Sequence, residues 1–226
     1  GDALVKIGSM TRLVKLEHDL VIAKETPLLH DALSYIAHPQ IRNRSTVGGN
    51  ISHADPAAEL PVIAIAMNAR IRLESVNNSR WIESHNFFKG YFETDINSDE
   101  IMTEVEIPII EERTGWAFCE IARRSGDYAM AGVAVLLTLN KDNVCMKAKI
   151  VFLNMGDAPM DVNEAVNLLI GEALNDELIR EVAHIASQKE INPLGGIHAT
   201  VNYQRHLANI LTKRSLKTAY ERAKQQ

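Results

Sequence analysis

The chain has 226 residues, enough for one domain or two small ones around a real core. Hydrophobic residues make up 46% and charged residues 23%, which excludes a disordered or fibrous chain. Net charge is −5 with a pI near 5.9, and the absence of a basic cluster excludes the electrostatic footprint of a nucleic-acid binder.

In chain order, alternation predicts a strand over Ala3–Gly8 and helices over Thr11–His18 and Pro27–Ala37. Pro27 suits a first helical position, and Leu28, Leu29, Ala32, Leu33 and Ile36 form an apolar stripe. Asp55-Pro56 reads as a helix start, with Asp55 as N-cap. Pro61 should interrupt that pattern, leaving a short turn at 55–60 and then a helix to about Met67. Ala69–Val76 and Arg80–Ser84 read as a hairpin around Asn77-Asn78, and Ile101–Pro108 as another strand. Beyond about Gly115, strands are predicted at Phe118–Arg123, Met130–Asn140 and Cys145–Met155. Helices follow at Asp161–Ile170, Asp176–Ser187 and Tyr203–Ala223. The fold class is therefore α+β: a first unit over 1–112 with a mixed sheet plus helices, then a three-stranded antiparallel sheet with three helices over 113–226.

Two cysteines without a Cys-x-x-Cys pair encode neither an iron–sulfur nor a zinc-ribbon site. The eight histidines show no metal-binding spacing. No apolar run reaches membrane-spanning length and the opening residues do not read as a signal peptide, so the expectation is a soluble cytoplasmic protein with reduced thiols.

The most informative stretch is Ile36-Ala-His-Pro-Gln-Ile-Arg-Asn-Arg-Ser-Thr-Val-Gly-Gly-Asn-Ile-Ser-His-Ala-Asp-Pro-Ala-Ala-Glu-Leu60. Gly48 and Gly49 permit positive φ and close approach of a ligand, and bare amides in such a loop can form an anion-binding nest. By themselves these residues are more often an ordinary structural turn than a ligand site. Two further blocks accompany the stretch: Phe118-Cys-Glu-Ile-Ala-Arg-Arg-Ser-Gly-Asp-Tyr-Ala-Met-Ala-Gly132, and Ile191-Asn-Pro with Tyr203-Gln-Arg-His-Leu207. Together, in this order and over nearly the whole chain, they resemble the FAD-carrying medium subunit of the xanthine oxidase and aerobic carbon monoxide dehydrogenase (molybdenum hydroxylase) family.

The resemblance implies that Thr46, Val47, Gly48, Gly49 and Asn50 contact the diphosphate and ribityl region of FAD. It implies that Ile36 packs on the cofactor, that Glu59 hydrogen-bonds it, and that Met102 lies beside the isoalloxazine. Asp127 and Tyr128 would then flank the ring in a Ser-Gly-Asp turn. Read without the resemblance, Ile36 and Met102 are core residues, Glu59 is a charge near a helix N-terminus, and Ser125-Gly-Asp is an ordinary β-turn. Where the family often has a lysine after the phenylalanine matching Phe118, this chain has Cys119 and Glu120.

The implied function is electron transfer. A molybdopterin large subunit oxidises the substrate, a [2Fe–2S] small subunit relays electrons, and FAD passes them to NAD, oxygen or a quinone, with no catalytic residue in this chain itself. In the family a second glycine loop, from an N-terminal subdomain, completes the diphosphate site. Residue 1 falls where the middle subdomain begins, so FAD binding is expected to need that segment in cis or in trans. A flavin-free scaffold or a truncated fragment is the alternative.

Overall fold

The computed structural model describes residues 3–226. Strand β1 (Leu4–Gly8) leads into four short helices, α1 (Leu13–Glu17), α2 (Leu20–Glu25), α3 (Pro27–Leu33) and α4 (Pro39–Arg42). Helices α5 (Val47–His53) and α6 (Glu59–Ala66) come next, then the hairpin β2 (Arg70–Glu74) and β3 (Ser79–Glu83). A helical turn α7 (Ser84–Phe87), the small pair β4 (Phe88–Gly90) and β5 (Glu93–Thr94), and strand β6 (Ile101–Pro108) complete the first half. The second half holds β7 (Thr114–Ala122), β8 (Ala129–Leu139), β9 (Cys145–Leu153), β10 (Met160–Asp161), α8 (Glu164–Asn167), α9 (Asp176–Lys189) and α10 (Val201–Lys224).

The α+β class is as the sequence predicts, with two corrections to the sheets. The first sheet, ordered β1-β6-β2-β3, is antiparallel at every pairing rather than mixed. Strands β1 and β2 run the same way, but β6 inserts between them and runs opposite to both. The second sheet, ordered β10-β9-β8-β7, gains the two-residue strand β10 where a helix was predicted to begin at Asp161. That helix shrinks to α8, whose first amides are held by a distant carboxylate: Asn163 and Glu164 donate to Glu190 Oε1, and Ala165 donates to Oε2.

Three departures shape the site. The helix from Pro27 stops at Leu33, and Ala37 turns left-handed at φ 47°. Arg42 holds that turn by donating from Nη1 to the carbonyls of Ile36 and Ala37, while its Nε and Nη2 form a two-bond pair with Glu17. Asp55 is not an N-cap; its Oδ1 accepts from the Ala57 amide two residues on. Pro61 does not interrupt a helix either. It is the third residue of α6, in the first turn, where a missing N–H leaves no helical bond unmade.

Helix α6 is buried along its whole length and packs against β8 and β9. The second sheet is thus covered twice. Phe118, Ala134, Val151 and Leu153 join the core of the first half, while Ala117, Val133, Val135 and Phe152 join the core under α9 and α10.

Candidate functional site

The glycine pair is not a loop but the first turn of α5. Thr46 is the N-cap, its Oγ1 accepting from the Gly49 amide at 3.1 Å. Neither Gly48 nor Gly49 has positive φ. Gly48 is required for a different reason: its amide donates to the Ser9 carbonyl at 2.8 Å, and a Cβ there would stand 2.5 Å from Ser9 Cβ. Glycine lets α5 press against the turn after β1. The predicted nest of bare amides is also corrected. Val47 donates to Thr11 O, Gly48 to Ser9 O, Gly49 to Thr46 Oγ1 and Asn50 to Thr46 O, so all four are already used. The side chains remain. Asn50 Oδ1 is buried and accepts from no protein donor, and Gly49 is exposed with no side chain to screen it.

Met102 lies in β6 beneath α5, where Ser52 Oγ approaches its sulfur at 3.6 Å. It belongs to the core cluster, as does Ile36 at the end of the α3 turn. Across from Ile36 and Ala37 stands the Ser125-Gly-Asp turn. Gly126 has φ 75°, and a Cβ there would lie 2.6 Å from His38 Nδ1 and 2.9 Å from the Ala37 carbonyl. Asp127 Oδ1 accepts from the Tyr128 amide and Oδ2 from Arg123; Tyr128 is 73% exposed.

Glu59 opens α6 and is 7% exposed. A helix N-terminus favours a carboxylate, but burial wins here. It pushes the Glu59 acid up to about 7, with a smaller contribution from Asp55. Glu120, on β7, is pushed up to about 8, first by burial and then by the charge of Glu59. Its Oε2 is buried without a hydrogen-bond partner.

The structure thus joins Thr46–Asn50 with Met102 through the packing of α5 on β6, and Ile36 with the 125–128 turn. Glu120, a residue not counted among the expected site residues, is like Glu59 an acid raised first by burial. Strand alternation carried the missed signal. Trp116, Phe118 and Glu120 share a parity, so Glu120 points to the same apolar side as Phe118. Ser9, the seat of Gly48, carried no sequence signal.

Comparisons with known proteins agree with this geometry. The family described as the FAD binding domain in molybdopterin dehydrogenase matches residues 1–110, and the CO dehydrogenase flavoprotein C-terminal domain matches residues 116–219. The 6-hydroxypseudooxynicotine dehydrogenase complex subunit alpha of Paenarthrobacter nicotinovorans is 36% identical over 99% of this chain and 75% of its own length. The glyceraldehyde dehydrogenase medium chain of Sulfolobus acidocaldarius is 36% identical over 94% of this chain and 75% of its own. Among solved structures, a carbon monoxide dehydrogenase from Hydrogenophaga pseudoflava superposes with a TM-score of 0.94 at 31% identity, covering 98% of this chain and 77% of that one. By fold, by both domain matches and by its relatives, the chain belongs to the FAD-binding medium subunits of the molybdenum hydroxylase family.

Proposed function

We propose that this chain holds FAD against the first turn of α5. Bound to a [2Fe–2S] small subunit and a molybdopterin large subunit, it serves as the station through which electrons reach NAD, oxygen or a quinone. The observation that carries the reading is Asn50 Oδ1, a buried acceptor without a donor. Leaving such a group unpaired costs about 1–3 kcal/mol, which a hydroxyl of a ribityl or ribose chain would recover. Thr46 Oγ1 accepts from Gly49, leaving its own proton free for a phosphate oxygen. Exposed Gly49 leaves room beside it.

Because the α5 amides are committed within the protein, further donors to the diphosphate have to come from a second glycine loop, in cis or in trans. Met102 supplies apolar backing. Glu59, its acid raised to about 7 by burial, holds a proton more readily than an ordinary carboxylate and in that form can donate a hydrogen bond. Asp127 and Tyr128 set the polarity at the outer edge, and Ile36 acts through packing, by fixing the turn against Gly126. FAD, when bound, takes up electrons singly and passes them on as a pair. We place the protein in the cytoplasm, a reading supported by its free thiols at Cys119 and Cys145.

Relatives named as medium chains and dehydrogenase subunits support the partner assignment. The test is flavin titration of the assembled complex. Asn50→Ala should weaken FAD about fivefold to tenfold, on the order of 1 kcal/mol, without loosening the subunits. A wild-type complex that assembles and never takes up flavin would favour the scaffold reading, which the fully used amides also suit.

A further inference from the structure

Strand β7 ends the second sheet, and among the described residues no strand pairs with its outer side. Helices α3 and α10 pack on its opposite faces: the Phe118 ring meets Tyr35 with centroids 5.1 Å apart, and Gly115 abuts Ala219 of α10. Two open cavities follow the edge between these walls. One, about 390 Å³, is bordered by Asp31 and Arg222 and by the successive strand residues Ala117, Phe118 and Cys119. The other, about 460 Å³, continues along Glu120, Ile121 and Ala122 to Gly126, and Tyr35 lines both. Side chains alternate between the faces of a strand, so successive residues bordering one cavity mark the strand's edge. Arg222 fixes which groups turn outward. It reaches from α10 round the edge, its Nη1 donating to the Trp116 carbonyl and to Asp31 Oδ2 on α3. Main-chain groups of successive residues point to alternate sides of a strand, so those of Phe118 and Glu120 turn outward with Trp116. Among the described residues nothing outside the sheet bonds to them.

The free stretch, 117–121, lies between Arg222 and the bulge at Ile121/Ala122 and is about 16 Å long. Within it Glu120 Oε2 is buried without a hydrogen-bond partner, although Arg124 lines the same cavity. Edge strands are ordinarily covered or blunted, and this one is neither. We propose that the β7 edge receives an extended segment of the [2Fe–2S] small subunit, which adds as a fifth strand along 117–121 and sets a lysine or arginine against Glu120. Main-chain bonds to Phe118 and Glu120 hold the segment, and the basic side chain selects it, since an orphaned acid is matched by a cation. A second copy of this chain does not fit: its own β7 is recessed between two helices, and pairing the edges would bring the two Glu120 side chains toward each other. The inference rests on the medium-subunit reading. It names the small subunit because the groove ends at Gly126, against Ala37 and the turn placed at the cofactor's outer edge, where an electron donor has to approach.

Hydrogen exchange of the full chain, read by mass spectrometry, tests the docking without reference to activity. On addition of the purified [2Fe–2S] subunit, the peptide over 117–121 should exchange about tenfold more slowly or slower still. Glu120→Gln keeps the shape of the side chain and removes its charge, and should weaken small-subunit binding about tenfold. The wild-type exchange pattern decides the docking whether or not that variant folds. Association with no added protection at 117–121 overturns the docking and leaves the medium-subunit reading standing. Protection brought only by the molybdopterin subunit, or rising with the concentration of the free chain, gives the edge to another occupant and overturns it too. Protection with unchanged affinity in Glu120→Gln overturns the pairing with a basic side chain. A chain that joins neither subunit fails the medium-subunit reading itself, and the docking with it.

Discussion

Two carboxylates, one on each sheet, have opposite fates. Glu106 on β6 is 3% exposed yet lies between Lys6 at 2.7 Å and Arg70 at 2.5 Å. The hydrogen bond from Lys6 holds its acid below the usual range, with Arg70 assisting. Glu120 on β7 has no cation, and burial drives it the other way, to about 8. The sheets explain the contrast. The first sheet keeps one face open, and there Arg70 and Arg72 also stack on the Trp81 ring. Its strands alternate, with β2 buried at every second residue. The second sheet is packed on both faces, and β8 is buried along nearly its whole length. A charge on the open sheet finds a long basic side chain reaching over from the neighbouring strand. Glu120, on the covered sheet, buries its Oε2 with no hydrogen-bond donor to meet it.

That contrast can be broken at several points, the largest effect first. A Cβ at Gly115 would overlap the Ala219 carbonyl and stand 2.6 Å from the Ala223 amide, so β7 and α10 would have to separate. Gly115→Ala should cost about 3 kcal/mol or more, read as a lower denaturation midpoint, because backbone has no rotamer to yield.

The two carboxylates should then give opposite pH dependences. For Glu59 and Glu120 the folded-state acids lie above the unfolded value of 4.5. Their stabilising contribution is therefore whole below about pH 4.5 and is lost as pH rises through about 7 to 8. For Glu106 the folded acid lies below 4.5, so its contribution is present above that value and lost as pH falls. Glu120→Gln should accordingly flatten the alkaline side of the stability profile and be more stable than wild type at pH 8, by about 1–3 kcal/mol. Glu106→Gln should lose about 1 kcal/mol at neutral pH and flatten the acid side instead. Urea midpoints from pH 4 to 9 would separate the two, and a Glu120→Gln protein less stable than wild type at pH 8 would contradict the contrast.

Smaller effects sharpen the site. Thr46→Ala removes the acceptor for the Gly49 amide and should cost about 1 kcal/mol of stability, with weaker FAD binding in the assembled complex. Arg72→Ala, on the open face, should move stability by no more than about 0.5 kcal/mol in thermal unfolding, since its partner Glu74 is also solvated.

Much of this organisation was legible beforehand. Strand β6 covers the residues that alternation and Pro108 predict, and α9 and α10 follow their apolar periodicity to within a few residues. Helix α2 was missed because Leu20 and Val21 are exposed and give no amphipathic stripe; Asp19, whose Oδ1 accepts from the Val21 and Ile22 amides, starts it. The glycine pair was assigned the wrong backbone. Thr-x-x-Gly satisfies a helix N-cap as readily as a loop, and only the contact with Ser9 discriminates.

The sequence by itself determined the α+β class and the family, because periodicity and motif order are written locally along the chain. Tertiary structure decided which amides are free, which glycine is needed for space rather than for φ, and which carboxylates are charged. Those properties depend on contacts between residues far apart: Gly48 with Ser9, Gly126 with His38, and Glu106 with Lys6. No local pattern encodes a partner 39 or 100 residues away, and it is the presence or absence of that partner that sets the protonation and hydrogen bonding of a buried polar group.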